Sequence, residues 1–132
     1  MSFFLDTNIC IRYLNNTNQY VCEKLEMQDT SNIKIPSIAA AELLFGAEKS
    51  IKRKYTTEIV NKFISVFEIV NFDKNAAYQY AVIRAELERK GRIIGANDLG
   101  IAAIVLANEG ILITNNTDEF ARIDRLRLEN WT

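Results

Sequence analysis

Apolar and polar positions change period repeatedly along the chain, and the changes predict alternating strands and helices. Residues 2 to 5 form a short apolar run that reads as a strand. Ile9, Ile11, Tyr13 and Leu14 then recur at helical spacing, so a helix begins after Asp6. Val21 to Met27 predicts a second short helix and Ile33 to Ile35 a strand, and Pro36-Ser37 opens a helix to about Ser50. A helix over about Lys54 to Ser65 and a strand over Val66 to Val70 follow. The amphipathic stretch from Lys74 to Lys90 is ended by Gly91. From Asp98 an apolar helix runs to near Gly110, then come a strand over Ile111 to Thr114, a short helix and a last strand at Arg127 to Glu129. This alternation predicts an α/β fold of three α/β/α layers with a small central parallel sheet covered by helices. Such sheets bind ligands outside the carboxyl ends of their strands. Asp6 and the segment from Asn116 to Glu119 each follow a strand directly, so both belong at that edge.

Length and composition fit one domain over residues 1–132. The chain has 132 residues, 48% of them hydrophobic, and one proline and five glycines interrupt it. There is no linker-like tract and no internal repeat. No apolar run approaches the roughly 20 residues that span a bilayer, and the N-terminus lacks the features of a signal peptide, so the chain reads as cytoplasmic and without a membrane partner. Cys10 and Cys22 lie within apolar-periodic segments at no metal-ligand spacing and read as packed thiols.

The sharpest fact of composition is the absence of histidine. It removes Ser-His-Asp and Cys-His triads, histidine-pair RNA cleavage and nearly all zinc hydrolase sites. An enzyme built from this chain works with carboxylates, hydroxyls, amines or a hard metal ion. A net charge of −1 supplies no general attraction for nucleic acid. Basic residues do cluster locally: Lys49, Lys52, Arg53 and Lys54; Arg89, Lys90 and Arg92; and Arg122, Arg125 and Arg127. Each cluster reads either as a solvated helix face or as a phosphate contact.

Acidic residues occupy unexpected places: Asp6 after an apolar strand, Glu42 inside "AAAELLFGA", Asp98 at the head of "NDLGIAA", and Asp118 and Glu119 after "ILITNNT". Taken singly, Asp6 and Asp98 read well as helix N-caps, and Asp118 and Glu119 as acids favoured by a helix N-terminus. Glu42 has mostly apolar neighbours, where an unpaired carboxylate is costly. If these positions converge, their mutual repulsion calls for a cation, and oxygen-only ligands suit Mg²⁺ or Mn²⁺. Metal-assisted phosphodiester hydrolysis accounts for the recurring acids and the missing histidine together.

The segments "FFLDTNICIRYL", "SIAAAELLFGAEKS", "IRAELERKGRIIGANDLGIAA" and "ILITNNTDEFARI" resemble, in order and over essentially the whole chain, the successive motifs of PIN-domain ribonucleases, specifically the VapC toxins of bacterial toxin–antitoxin pairs. The resemblance implies an acidic pocket holding Mg²⁺ or Mn²⁺ and endonucleolytic cleavage of RNA, with the initiator tRNA anticodon stem-loop as the target of similar members. It also implies a VapB-type antitoxin whose basic side chain reaches the carboxylates and whose apolar residues fill a groove between the N-terminal helices, and a homodimer. Carried over by motif, Asp6, Glu42 and Asp98 are the metal-binding acids. Thr7, Asn8, Thr114 and Asn116 fall where supporting polar groups stand.

The fourth acid is open among Glu119, Asp118 and Asn116, because many relatives have an aspartate where Asn116 stands. If the chain turns helical near Asn116, each residue advances about 100° and the apolar pair Phe120 and Ile123 fixes the inward direction. Glu119 then lies roughly 70° from the core direction and Asp118 roughly 170° from it. This phase selects Glu119 as the fourth catalytic and metal-binding acid, with Asn116 near enough to hold a water in the site. Two other readings stand beside the nuclease. One is a PIN-like module that binds RNA or protein without cutting. The other is a phosphatase of the haloacid dehalogenase type, whose signature wants a second Asp where this chain has Asn8.

Overall fold

A computed structural model describes residues 1–132. The elements run β1 (Phe3–Leu5), α1 (Thr7–Leu14), α2 (Gln19–Glu26), β2 (Ile33–Pro36), α3 (Ser37–Lys49), α4 (Arg53–Ile64), β3 (Glu68–Val70), α5 (Lys74–Arg89), α6 (Ala96–Ala107), β4 (Ile111–Ile113), α7 (Thr117–Phe120) and β5 (Arg127–Glu129). Several expected boundaries shift by one to three residues; α2, for example, starts at Gln19 because the Asn18 side chain caps it by accepting from the Val21 N–H. Strand β3 starts at Glu68 because Val66 and Phe67 are still in the turn that closes α4, their N–H groups donating to the carbonyls of Phe63 and Ile64. Helix α6 starts at Ala96, so Asp98 lies inside its first turn.

The five strands form one parallel sheet in the order β3-β2-β1-β4-β5. The chain builds outward from β1 through β2 to β3, then returns to the far side of β1 for β4. Strand order therefore reverses between β1 and β4, the switch point beside which open parallel sheets form a crevice. Helices cover both faces, which is why Phe4 and Leu5 on the central strand are both fully buried instead of alternating. Helix α6 is buried continuously from Leu99 to Val105. At Gly100 a Cβ would overlap the Ile38 side chain, so the missing side chain lets α6 approach α3 closely. That approach sets Glu42, one turn after Ile38, against the start of α6. Gly91 ends α5 with φ +65°, a conformation that favours glycine.

Cys10 is buried and Cys22 half-buried, both as free thiols. No helix is long and apolar enough to cross a membrane.

Candidate active site

Asp6 follows the central strand and sits at the switch point, with its backbone N–H donating to the Ile113 carbonyl at 3.0 Å. One carboxylate oxygen caps α1 by accepting from the Thr7 N–H at 2.8 Å. The other accepts from Thr114 Oγ1, also at 2.8 Å. The capping role is thus real, yet it does not explain a carboxylate that is only 4% exposed. Burial pushes the Asp6 carboxyl above its ordinary range, against the two hydrogen bonds from Thr114 and Thr7, and the nearby Glu42 charge adds to the rise.

Thr114 follows β4 and is fully buried. Its hydroxyl accepts from the Asn116 N–H at 2.9 Å while donating to Asp6, so one side chain ties the two strand ends together. Thr114→Val keeps the shape and removes both bonds. We expect it to cost about 1–3 kcal/mol, because a buried carboxylate oxygen and a backbone N–H lose their partner. Chemical denaturation checks this, and an unchanged midpoint would contradict it.

Glu42 projects from the second turn of α3. Its Oε1 accepts from Thr7 Oγ1 at 2.6 Å and its Oε2 from Asn97 Nδ2 at 3.4 Å. The apolar surroundings expected from sequence are more open than the composition suggests: Glu42 is half-buried and the neighbouring Phe45 is 63% exposed. The supporting hydroxyl in "DTN" is Thr7, whereas Asn8 is exposed and makes no side-chain hydrogen bond in the site. Asn97 was not singled out from sequence. An Asn in a helix first turn carries no signal until the helix is known to face Glu42.

Asp98 does not cap α6. The cap is Gly95, with no side-chain hydrogen bond, and the half-buried Asp98 carboxyl faces the other acids. Burial first, then the charges of Asp6, Glu119 and Glu42 and a hydrogen bond with Glu119, push it up to about 6. Glu119 is half-buried on α7 and accepts from Asn116 Nδ2 at 2.9 Å, while Asp118 is exposed. Asn116 therefore spends its amide on Glu119.

The four positions from four motifs meet at the carboxyl edge of the sheet. None has a lysine or arginine partner, since the ion pairs of the chain are Lys34–Glu68, Arg84–Glu88 and Lys90–Asp124. The donor set is all oxygen, acidic and partly desolvated, which suits a hard divalent cation. No three of the acids close on one point at ligand distance.

Because the folded Asp98 carboxyl binds its proton more tightly than the unfolded one, ionising it costs the folded state. Below about pH 4 both states are protonated and the cost is absent; it grows as pH rises and is complete above about pH 6. Metal-free protein is thus expected to lose thermal stability across that window, and Asp98→Asn to lose less. Melting curves at pH 4, 5, 6 and 7 decide it, and parallel profiles for the two proteins would contradict it.

Beside Glu42 a groove of about 560 Å³ runs between α1, α3 and α4, with Ile11, Leu14, Leu43, Tyr55, Ile59 and Val60 in its lining.

A parallel sheet with an acidic cluster at its switch point defines a class, and the PIN domain model matches residues 3–126. The chain belongs to the PIN-domain family, and within it to the VapC ribonucleases. It is 42% identical over 132 residues to ribonuclease VapC2 of Rickettsia felis, covering 99% of this chain and 98% of that protein. It is 39% identical over 131 residues to the tRNA(fMet)-specific endonuclease VapC of Salmonella typhimurium, again covering 99% and 98%. Among solved structures it is similar to VapBC from Salmonella typhimurium bound to DNA, with a TM-score of 0.94 at 39% identity over 100% of this chain and 99% of that one. VapBC2 from Rickettsia felis, bound to a DNA fragment from its promoter, gives 0.92 at 40% identity over 100% of both chains.

Proposed function

We propose that this chain is an endoribonuclease that hydrolyses RNA phosphodiesters with Mg²⁺ or Mn²⁺ held by Asp6, Glu42, Asp98 and Glu119, and that it acts as the toxin of a toxin–antitoxin pair. The observation that carries the reading is the meeting of four carboxylates from four motifs, none of them paired with a lysine or arginine. The relatives named as ribonucleases and as tRNA(fMet)-specific endonucleases support RNA, and tRNA in particular, as the substrate. The solved VapBC complexes support an antitoxin partner.

When bound, the cation supplies Lewis-acid chemistry, offsetting phosphate charge and making a water a better nucleophile. The chain's own residues do the rest. Asp6 is fixed by Thr7 and Thr114, Glu42 by Thr7 and Asn97, and Glu119 by Asn116, so each acid presents a set direction to the site. With no histidine in the chain and no lysine or arginine paired to the acids, the proton leaving an attacking water passes to a carboxylate. The groove beside Glu42 takes an apolar segment of the antitoxin, close enough for a basic side chain of that segment to reach the acids.

Purified protein incubated with total tRNA in Mg²⁺, and again in excess chelator, tests the reading. Discrete cleavage products that appear only with the metal are expected. Intact tRNA under both conditions would overturn tRNA hydrolysis, and a non-cutting binding module would then describe the chain.

A further inference from the structure

Four carboxylates repel a polyanion, so RNA held at this site must be gripped by cations at its rim, and the sequence offers more than one basic cluster for that task. Building on the ribonuclease reading, we infer that the RNA backbone approaches across the corner between α5 and α6, where Arg92 and Arg122 receive its phosphates, and not across the basic run that opens α4.

The corner leads into α6, which carries Asp98, and is bonded to the turn after α7, which carries Glu119. Arg122, three residues after Glu119, donates from Nη1 to the Ile93 carbonyl at 2.9 Å, and Lys90 reaches Asp124 at 3.3 Å. These bonds fasten the loop entering α6 to the turn leaving α7. From Arg92 the exposed residues Ile93, Gly95, Ala96 and Asn97 lead to Asp98, with only Ile94 turned inward. A Cβ at Gly95 would meet nothing within 4 Å, so the track is open.

The charges there are available. Arg92 has no carboxylate partner. Arg122 is half-buried, with Nη1 on the neutral Ile93 carbonyl and Nε buried without a partner, so Nη2 is the nitrogen left to meet an anion from solvent. A partly desolvated guanidinium without an anion is unusual, because removing it from water is costly unless a counter-charge replaces the lost solvent. A phosphate supplies that counter-charge at Nη2 of Arg122 and can take the whole guanidinium fork of the exposed Arg92. The rival cluster is placed differently. Lys49 stands seven residues beyond Glu42, about 10 Å along the helix, with its ammonium over the Phe45 ring. The apolar groove lies on that side of Glu42, so a backbone held by Lys52, Arg53 and Lys54 would cross greasy surface to reach the acids.

The test is binding of a short fluorescein-labelled single-stranded RNA in chelator, where no cut occurs, over a range of salt. Each lost phosphate contact lowers the slope of log affinity against log salt by about 0.7. Arg92→Gln with Arg122→Gln is expected to weaken binding about tenfold and to reduce that slope by about 1.4, while Lys52→Gln with Arg53→Gln and Lys54→Gln leaves both near wild type. Arg92→Gln with Arg89→Gln, wholly on exposed residues, should reduce the slope by about 0.7 or more even if the Arg122 change loosens the loop. The proposal is overturned if the α4 variant loses binding and the corner variants do not, or if both lose it equally. Cleavage by wild type in Mn²⁺, run in parallel, separates the two ideas. RNA cut normally by wild type while corner variants bind at full strength removes only the corner, and RNA neither bound nor cut by wild type removes both.

Discussion

Asp6→Asn and Asp98→Asn are each expected to lower the rate of RNA cleavage about 100-fold or more, the scale on which single groups in a preorganised site act, while the protein remains folded. Both substitutions are isosteric. At position 6 the amide oxygen can still accept from the Thr7 N–H, and the Thr114 hydroxyl can turn to accept from the new amide. At position 98 the change removes a carboxyl that burial and three neighbouring acids hold up to about 6. Asp6→Asn leaves the buried Thr114 O–H without its acceptor and is expected to cost some stability, whereas Asp98→Asn only relieves a repulsion, so the melting temperature of metal-free Asp98→Asn should rise above wild type at neutral pH. Loss of activity with gain of stability is the signature of a site held together at the expense of the fold. Cleavage assays and melting curves on the same preparations check both halves. Cleavage at wild-type rate by both variants would contradict the assignment.

Glu119→Gln and Asp118→Asn should differ sharply although the residues are adjacent. Glu119 stands near enough to Asp98 to raise its carboxyl and is steadied by Asn116, whereas Asp118 is exposed. Glu119→Gln is expected to reduce both cleavage and metal affinity on the order of 10–100-fold, the range seen when groups that orient or complete a metal site are removed. Asn116→Ala should act in the same direction but more weakly, since it frees the Glu119 carboxylate without removing it. Asp118→Asn should stay within about twofold of wild type, as a surface change away from the chemistry. Parallel measurement of cleavage rate and Mn²⁺ affinity decides the order. A damaging Asp118→Asn beside an active Glu119→Gln would mean that α7 presents the other acid.

Much of this was legible in the sequence because period and punctuation agree there. The alternation of apolar strands with helices, Gly91 ending α5 and the phase of Phe120 and Ile123 all have a local cause, and the structure follows them. What was not legible depends on distance. Asp98 was readable as a cap because nothing local distinguishes it from one; the sheet order and the close approach of α6 to α3 at Gly100 turn its carboxyl toward the other acids. For the same reason the sequence weighed Asn8 beside Thr7, yet only Thr7 reaches Glu42, and the partnership of Asn97 with Glu42 spans 55 positions. From sequence, Asn116 was expected to hold a water, whereas in the structure its amide donates to Glu119.

The central claim is that the four carboxylates form one divalent-cation site, and titration calorimetry of Mn²⁺ into wild type and into Asp98→Asn tests it without reference to any substrate. At a pH just below about 6, where Asp98 still holds its proton, wild type should bind at a defined stoichiometry and release protons as the cation displaces it. Asp98→Asn should bind at least tenfold more weakly. Equal affinity in the two proteins, or no saturable binding to wild type, would contradict the account.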